Sequence, residues 1–330
     1  MKKQLTTSMI LLCILTVLTG CAGAPSPTDP APLTEVTMQF FWTHSNLFAG
    51  FYAASENGYY AEEGLSVKFA EAGVDADYLS PVVNGAAQFG DAGADDLILA
   101  RSSGKPLVAL ATIYRRNPSA FVALEDSGIT RPEDFVGKTI RIVPQTAAHL
   151  HAMMKKVGIS QDQYSEVSLP SDLDLFASGQ ADVWNIYTNN FGVVLQRAGY
   201  KLNFIYPDDY GVHFYADTIF TNEELLETNP DLVLRFVRAS LKGWTWAVEN
   251  PTEAGLLIQK YKLNADPELE IAKMLASLPL INTGEDFIGW MKPEVWAGME
   301  QTMRDQGILT APLDITQIYT LQFLEEIYGK

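Results

Sequence analysis

From residue 36 onward the chain alternates short apolar runs with longer amphipathic stretches. VTMQFFW (Val36 to Trp42) reads as a strand, and Phe48–Asn57 as a helix stopped at Gly58. Leu65–Ala70 is strand-like, 75–83 suits a helix closed by Asn84-Gly85, and Ala87–Gly90 is a short strand. Asp95–Ser102 suits a helix closed by Gly104, and Leu107–Tyr114 is a buried-looking strand. Such alternation argues for α/β layers.

A second unit of the same kind begins near Ala123. In SGITRPEDFVGKTIRIV, Pro132 opens a helical turn with Glu133 and Asp134 where the helix dipole favours acids. Strands at Thr139–Val143, Tyr164–Leu169, Ala181–Tyr187 and Leu202–Tyr206 alternate with helices at Thr146–Val157, Asp172–Ser178 and Asn190–Ala198. From Asn222 the pattern turns helical: Glu223–Thr228, Pro230–Asn250, Thr252–Tyr261, Pro267–Ala276, Pro293–Gln306 and Ile315–Tyr328. Asn229 and Asn250 each precede a proline and read as N-caps. Two βα units and a helical tail predict two lobes, 36–118 with 218–330 and 119–217. They are joined by crossovers at Asn117–Val122 and at His213–Phe220. The cleft between them is the expected ligand site.

The N-terminus alters the picture of location. Lys2 and Lys3 precede the apolar stretch SMILLCILTVLT, of signal-peptide length and too short to span a membrane. It ends LTGC, which resembles a bacterial lipobox with Cys21 as the acylated residue of an anchored, extracytoplasmic protein. Residues 21–35, with prolines at 25, 27, 30 and 32, read as an extended tether. Cys13 and Cys21 are the only cysteines. The folded part therefore has no disulfide, thiol nucleophile or cysteine-bound zinc. The formal charge is −17, and −19 once Lys2 and Lys3 leave with residues 1–20. That acidity excludes a basic nucleic-acid groove. No dinucleotide, Walker or zinc signature is readable, so no cofactor is expected. A monomer is expected.

Four segments carry a family resemblance: AGFYAASENGYYAEEGLSV, DAGADDLILARSSGKPLVALATIY, SGITRPEDFVGKTIRI and NPDLVLRFVRASLKGWTWAVENPTEA. In this order they resemble the periplasmic binding proteins of the NMT1/THI5-like and sulfonate/taurine type. The resemblance implies a type II periplasmic-binding fold that closes on a small ligand and docks to an ABC permease. The nearest subgroup carries thiamine pyrimidine precursors, with riboflavin carriers next and alkanesulfonate or taurine binders on the same scaffold. Yeast-type relatives that make the pyrimidine carry a cysteine-rich motif, which this chain lacks. An importer component rather than an enzyme is expected.

Strand ends and helix N-termini supply the candidate contacts. Trp42 either stacks on a flat ring or sits in the core; His44 and Asn46 follow it, Asn46 as a reader of ring donors and acceptors or as a cap. Asp95, in DAGADD, either accepts from an exocyclic amine or caps its helix. Gln145 and Thr146 open a second-lobe helix. Tyr187 offers a facing ring and Asn189 a reading amide. Tyr114 and Tyr215 are further cleft candidates. His149 and His151 form an H-x-H pair, but residues two apart on a helix do not share a face, so a metal pair is not expected. Trp244, Trp246, Trp290 and Trp296 are assigned to the packing of the helical tail.

Overall fold

The computed structural model describes residues 32–330 except 74–75 and 144–145. Cys21, the tether up to 31 and Gln145 lie outside the described residues. Leu33–Lys330 form one compact unit.

Among the described residues, ten strands divide into two mixed sheets. The first holds β1 (Thr34–Gln39), β2 (Leu65–Ala70), β3 (Phe89–Ala92), β4 (Leu107–Tyr114) and β10 (Ala216–Asn222), in the order β2-β1-β3-β10-β4. The second holds β5 (Ser119–Leu124), β6 (Thr139–Ile142), β7 (Ser165–Ser168), β8 (Val183–Tyr187) and β9 (Leu202–Ile205), in the order β7-β6-β8-β5-β9. β1 pairs parallel with β2 and β3, and β6 with β7 and β8. Each sheet also contains one strand that runs against its neighbours: β10 against β3 and β4, β5 against β8 and β9.

These two antiparallel strands are the segments that the hydrophobic pattern marks as crossovers. Both are buried along nearly their whole length, β5 as a mostly apolar run and β10 with Asp217, Thr218, Thr221 and Asn222 buried among its apolar residues, so neither shows the period-two alternation that identifies a half-buried strand. The chain leaves β4, crosses at 115–118 and at once enters the second sheet. It returns after β9 directly into the first. Other bounds shift less. β1 ends at Gln39 rather than Trp42, and the helix expected over 75–83 is confined to Ser80–Val83. The helix Pro267–Ile281 runs through Pro279, because Leu280 and Ile281, the two residues that follow it, bury their side chains in the core. Asn229 caps its helix, accepting from Leu232 N at 3.2 Å. Asn250 does not cap the next one. Its amide donates instead to Trp246 O at 2.9 Å, closing the helix before it.

The tail is packed onto the first sheet. The helix Pro230–Glu249 crosses Ala49–Glu56 with no space for side chains: a Cβ on Gly243 would lie 2.2 Å from the Gly50 carbonyl oxygen, and one on Gly50 would lie 2.1 Å from the Trp244 ring. The free edge of β4 is covered by the tail, with Ala109 N donating to Ile318 O at 2.8 Å and Thr112 N to Gly289 O at 3.0 Å. Trp244 and Trp296 are fully buried. The side of β4 that would otherwise invite strand addition is thus closed, and the first sheet becomes a rigid half on which loops can be held.

Candidate functional site

A cavity of about 400 Å³ opens where the carboxyl ends of β1, β3, β6 and β8 converge, with Ala216 at the start of β10 on its wall. Loops there leave backbone donors and short polar side chains uncommitted to a sheet.

On the first-sheet side, the segment after β1 contributes Phe41, Trp42, Thr43, His44 and Ser45. Trp42 is 38% exposed, an uncovered indole on a cavity wall. His44 Nδ1 lies 2.7 Å from the Tyr52 hydroxyl, and burial lowers its pKa against the opposing pull of Glu71, so the ring is neutral at neutral pH. Beyond β3, the helix Ala94–Ser102 begins with Asp95 and Asp96, both lining the cavity. Tyr78 donates to Asp96 Oδ2 at 2.8 Å. Burial first, and the charge of Asp95 second, push the Asp96 carboxyl up to about 7. Asp95 Oδ2 lies 3.3 Å from His149 Nε2, a contact between the two sheets' helices.

On the second-sheet side stand Arg141 in β6, Val143 and Thr146 after it, Asn185 to Tyr187 in β8, then Asn190 and Phe191. Tyr187 is half-buried. Burial and the surrounding Asp217, Asp95, Asp96 and Asp91 raise its phenol well above the usual range, so it stays a neutral donor. The Thr146 hydroxyl is 2.7 Å from Asn185 Oδ1, and Asn185 Nδ2 donates to Ser119 Oγ at 2.8 Å. Arg141 is 3% exposed. It donates to Leu169 O at 2.7 Å, Asn185 O at 2.5 Å and Ser171 Oγ at 3.1 Å, and its guanidinium lies 5.4 Å from the centre of the Trp184 ring.

Of the expected residues, Trp42, His44, Asp95, Thr146 and Tyr187 line this cavity. Asn46, Tyr114 and Asn189 lie behind it and meet at one buried hydroxyl: Asn46 Nδ2, Tyr114 OH and Asn189 Nδ2 are 3.3, 3.3 and 2.9 Å from Ser277 Oγ. Tyr215 is buried elsewhere and accepts from Lys292 N at 3.1 Å. Sequence reasoning missed Arg141, Tyr78 and Lys273. A charge between Ile140 and Ile142 in a buried strand was a usable signal for Arg141. Lys273, paired with Glu270 at 3.0 Å, comes from the distant tail and gave none. His149 and His151 diverge, His151 reaching Glu166 at 2.7 Å. Among the described residues no group of three or more His, Cys, Asp or Glu is placed to hold a metal.

Two walls on separate sheets, meeting over a partly apolar cavity with a few fixed polar groups, are the architecture of a bilobal binding protein. The profile of the NMT1/THI5-like family matches residues 45–254, and the chain belongs to that family. It is 28% identical to the riboflavin-binding protein RibY of Chloroflexus aurantiacus over 98% of both chains. It is 32% identical to a formylaminopyrimidine-binding protein of Halalkalibacterium halodurans, over 74% of this chain and 75% of that one. Its fold is shared with the periplasmic aliphatic sulphonate-binding protein SsuA of Escherichia coli, with a TM-score of 0.72 at 15% identity over 88% of this chain and 99% of that one.

Proposed function

We propose that this chain captures a small heteroaromatic nutrient outside the cytoplasm and delivers it unchanged to an ABC permease. A thiamine pyrimidine precursor is the first candidate and riboflavin the second. The lobes are 36–118 with 218–330, and 119–217. They close on the ligand, and affinity comes from contacts made only in the closed state. The lipid anchor is Cys21. The observation that carries the reading is the pair of rings, Trp42 from one wall and Tyr187 from the other, beside the polar edge formed by Asp95, Asp96 and Arg141. Aromatic area supplies affinity for a flat ring, and the polar edge supplies selectivity.

Titration calorimetry with formylaminopyrimidine, riboflavin and taurine tests this. One heteroaromatic should bind at one per chain and be recovered unaltered. Heat with taurine alone would sink the heterocycle reading, and chemical conversion of the ligand would sink the carrier reading. Trp42→Ala should weaken binding about tenfold, the loss of one stacking face, while leaving the melting temperature unchanged because the indole is exposed. Unaltered affinity would remove Trp42 from the site.

A further inference from the structure

Arg141 stands apart from the other arginines. Arg101, Arg115, Arg116, Arg131, Arg197, Arg235, Arg238 and Arg304 each lie within 4.0 Å of a carboxylate. Arg141 is among the most buried of them and, among the described residues, has no such partner. Its three contacts are neutral acceptors, two carbonyls and one hydroxyl. They engage three of the five N–H groups of a guanidinium. A buried charge without a countercharge is costly, and burial pulls the pKa of Arg141 only to about 10, so the group remains charged at neutral pH. Two lysines also line the cavity: Lys273 is already answered by Glu270, and Lys262 is exposed to solvent, where its charge is hydrated.

The guanidinium is also held in place. It lies over the Trp184 ring at 5.4 Å from its centre, and two of its bonds go to backbone of the second-sheet half, so its orientation is fixed before any ligand arrives. The cavity is therefore polarised. Its first-sheet wall presents the carboxyl groups of Asp95 and Asp96; its second-sheet wall presents an unanswered cation. A dianionic ligand would meet two acids, and a ring carrying only amino groups would leave Arg141 unserved.

We propose that Arg141 reads a carbonyl oxygen on a heteroaromatic compound that also carries N–H donors, so that the ligand places its N–H edge toward Asp95 and Asp96 and its oxo edge toward Arg141. The class includes an aminopyrimidine bearing a formamide and a ring imide such as that of a flavin. It excludes the same aminopyrimidine after loss of the formyl group, whose new ammonium would face a guanidinium. The inference rests on the carrier function proposed above and names the selectivity of its site.

Calorimetry on the unaltered protein compares 4-amino-5-(formylaminomethyl)-2-methylpyrimidine with its 5-aminomethyl counterpart and with riboflavin. A hydrogen bond to a buried charge predicts that the formyl compound binds about ten- to a hundredfold more tightly than the aminomethyl one. Arg141→Gln should then bring the two affinities within about threefold. If riboflavin is the only ligand, Arg141→Gln should weaken it about tenfold or more. Equal binding of the two pyrimidines by the unaltered protein overturns the inference without needing a folded variant. So does a folded Arg141→Gln protein with undiminished discrimination. Both of these results leave the carrier function standing, whereas failure of all three compounds to bind overturns both.

Discussion

Among the described residues, Arg141 and the pair Asp91 and Asp217 are ionisable groups buried without a countercharge, and they differ in what can answer them. Arg141 lines the ligand cavity. Asp91 in β3 and Asp217 in β10 are sealed inside the first sheet, at most 1% exposed, with no side-chain donor among the described residues on either carboxyl and only the Ala92 backbone amide beside that of Asp91. A guanidinium cannot shed its proton, so its deficit persists until a ligand meets it. A carboxyl group can take up a proton and so relieve the cost of its burial. Burial, and for Asp217 also the nearby charge of Asp91, raises both pKa values well above the usual carboxylate range. On the proposed reading the deficit that lines the cavity serves recognition, and the sealed one makes stability depend on pH.

The largest expected effect that separates the two lies at Asp217. A carboxyl whose folded pKa is raised favours the folded state below its ordinary pKa and loses that contribution as pH rises toward the folded value. The protein should therefore lose stability from pH 5 to pH 9 through this pair. Asp217→Asn removes the ionisation, and asparagine tolerates the positive φ of 49° found there. Urea denaturation should show the variant more stable than the parent by roughly 1–3 kcal/mol at pH 9 and by little at pH 4. A constant difference across pH would mean that Asp217 is not the titrating group. Arg141→Gln should leave that pH dependence unchanged.

The same contrast explains what was legible in the sequence. The βα order, the helical tail and the segments after β1, β3, β6 and β8 follow from local patterns, because apolar period and Gly or Asn stops act within a few residues. Trp42, His44, Asp95, Thr146 and Tyr187 were readable because strand ends are local features. β5 and β10 were not, since strands buried on both faces show no alternation, and β10 mixes Asp217, Thr218, Thr221 and Asn222 with its apolar residues as a connection does. Asn46, Tyr114 and Asn189 were placed on the cavity because their neighbours in sequence are there. Only the tertiary position of Ser277, more than 80 residues away in the tail, turns them inward. The Asp91–Asp217 pair likewise depends on β10 lying beside β3, a pairing invisible to periodicity.

A smaller effect belongs to Asp96, which titrates like the sealed pair but lines the cavity like Arg141. Its carboxyl, at about 7, is mostly protonated at pH 6 and mostly ionised at pH 8. An ionised Asp96 accepts from a ligand amine, so affinity for an aminopyrimidine should rise with pH over this range by up to about tenfold. The same ionisation withdraws stability from the free protein as pH passes 7. Asp96→Asn should flatten the binding profile while Tyr78 keeps a partner oxygen. A slope that survives the substitution would assign the titration to another group.

The smallest expected effect tests whether facing the cavity is enough to make a polar group available. His44 lines the wall, yet its Nδ1 is engaged by the Tyr52 hydroxyl, and Tyr52 in turn stacks on Tyr261 with centroids 4.1 Å apart. Tyr52→Phe keeps the stack and removes only the oxygen. It should cost roughly 0.5–1.5 kcal/mol of stability, one partly buried hydrogen bond. It should change ligand affinity less than twofold if His44 only braces the loop that carries Trp42. A larger gain in affinity would mean that the freed imidazole now reaches the ligand, and that His44 was held back by its partner. A larger loss would mean that the brace positions Trp42 itself. In both cases His44 would join Arg141 among the groups whose hydrogen-bond partners, rather than their exposure, decide what the cavity can recognise.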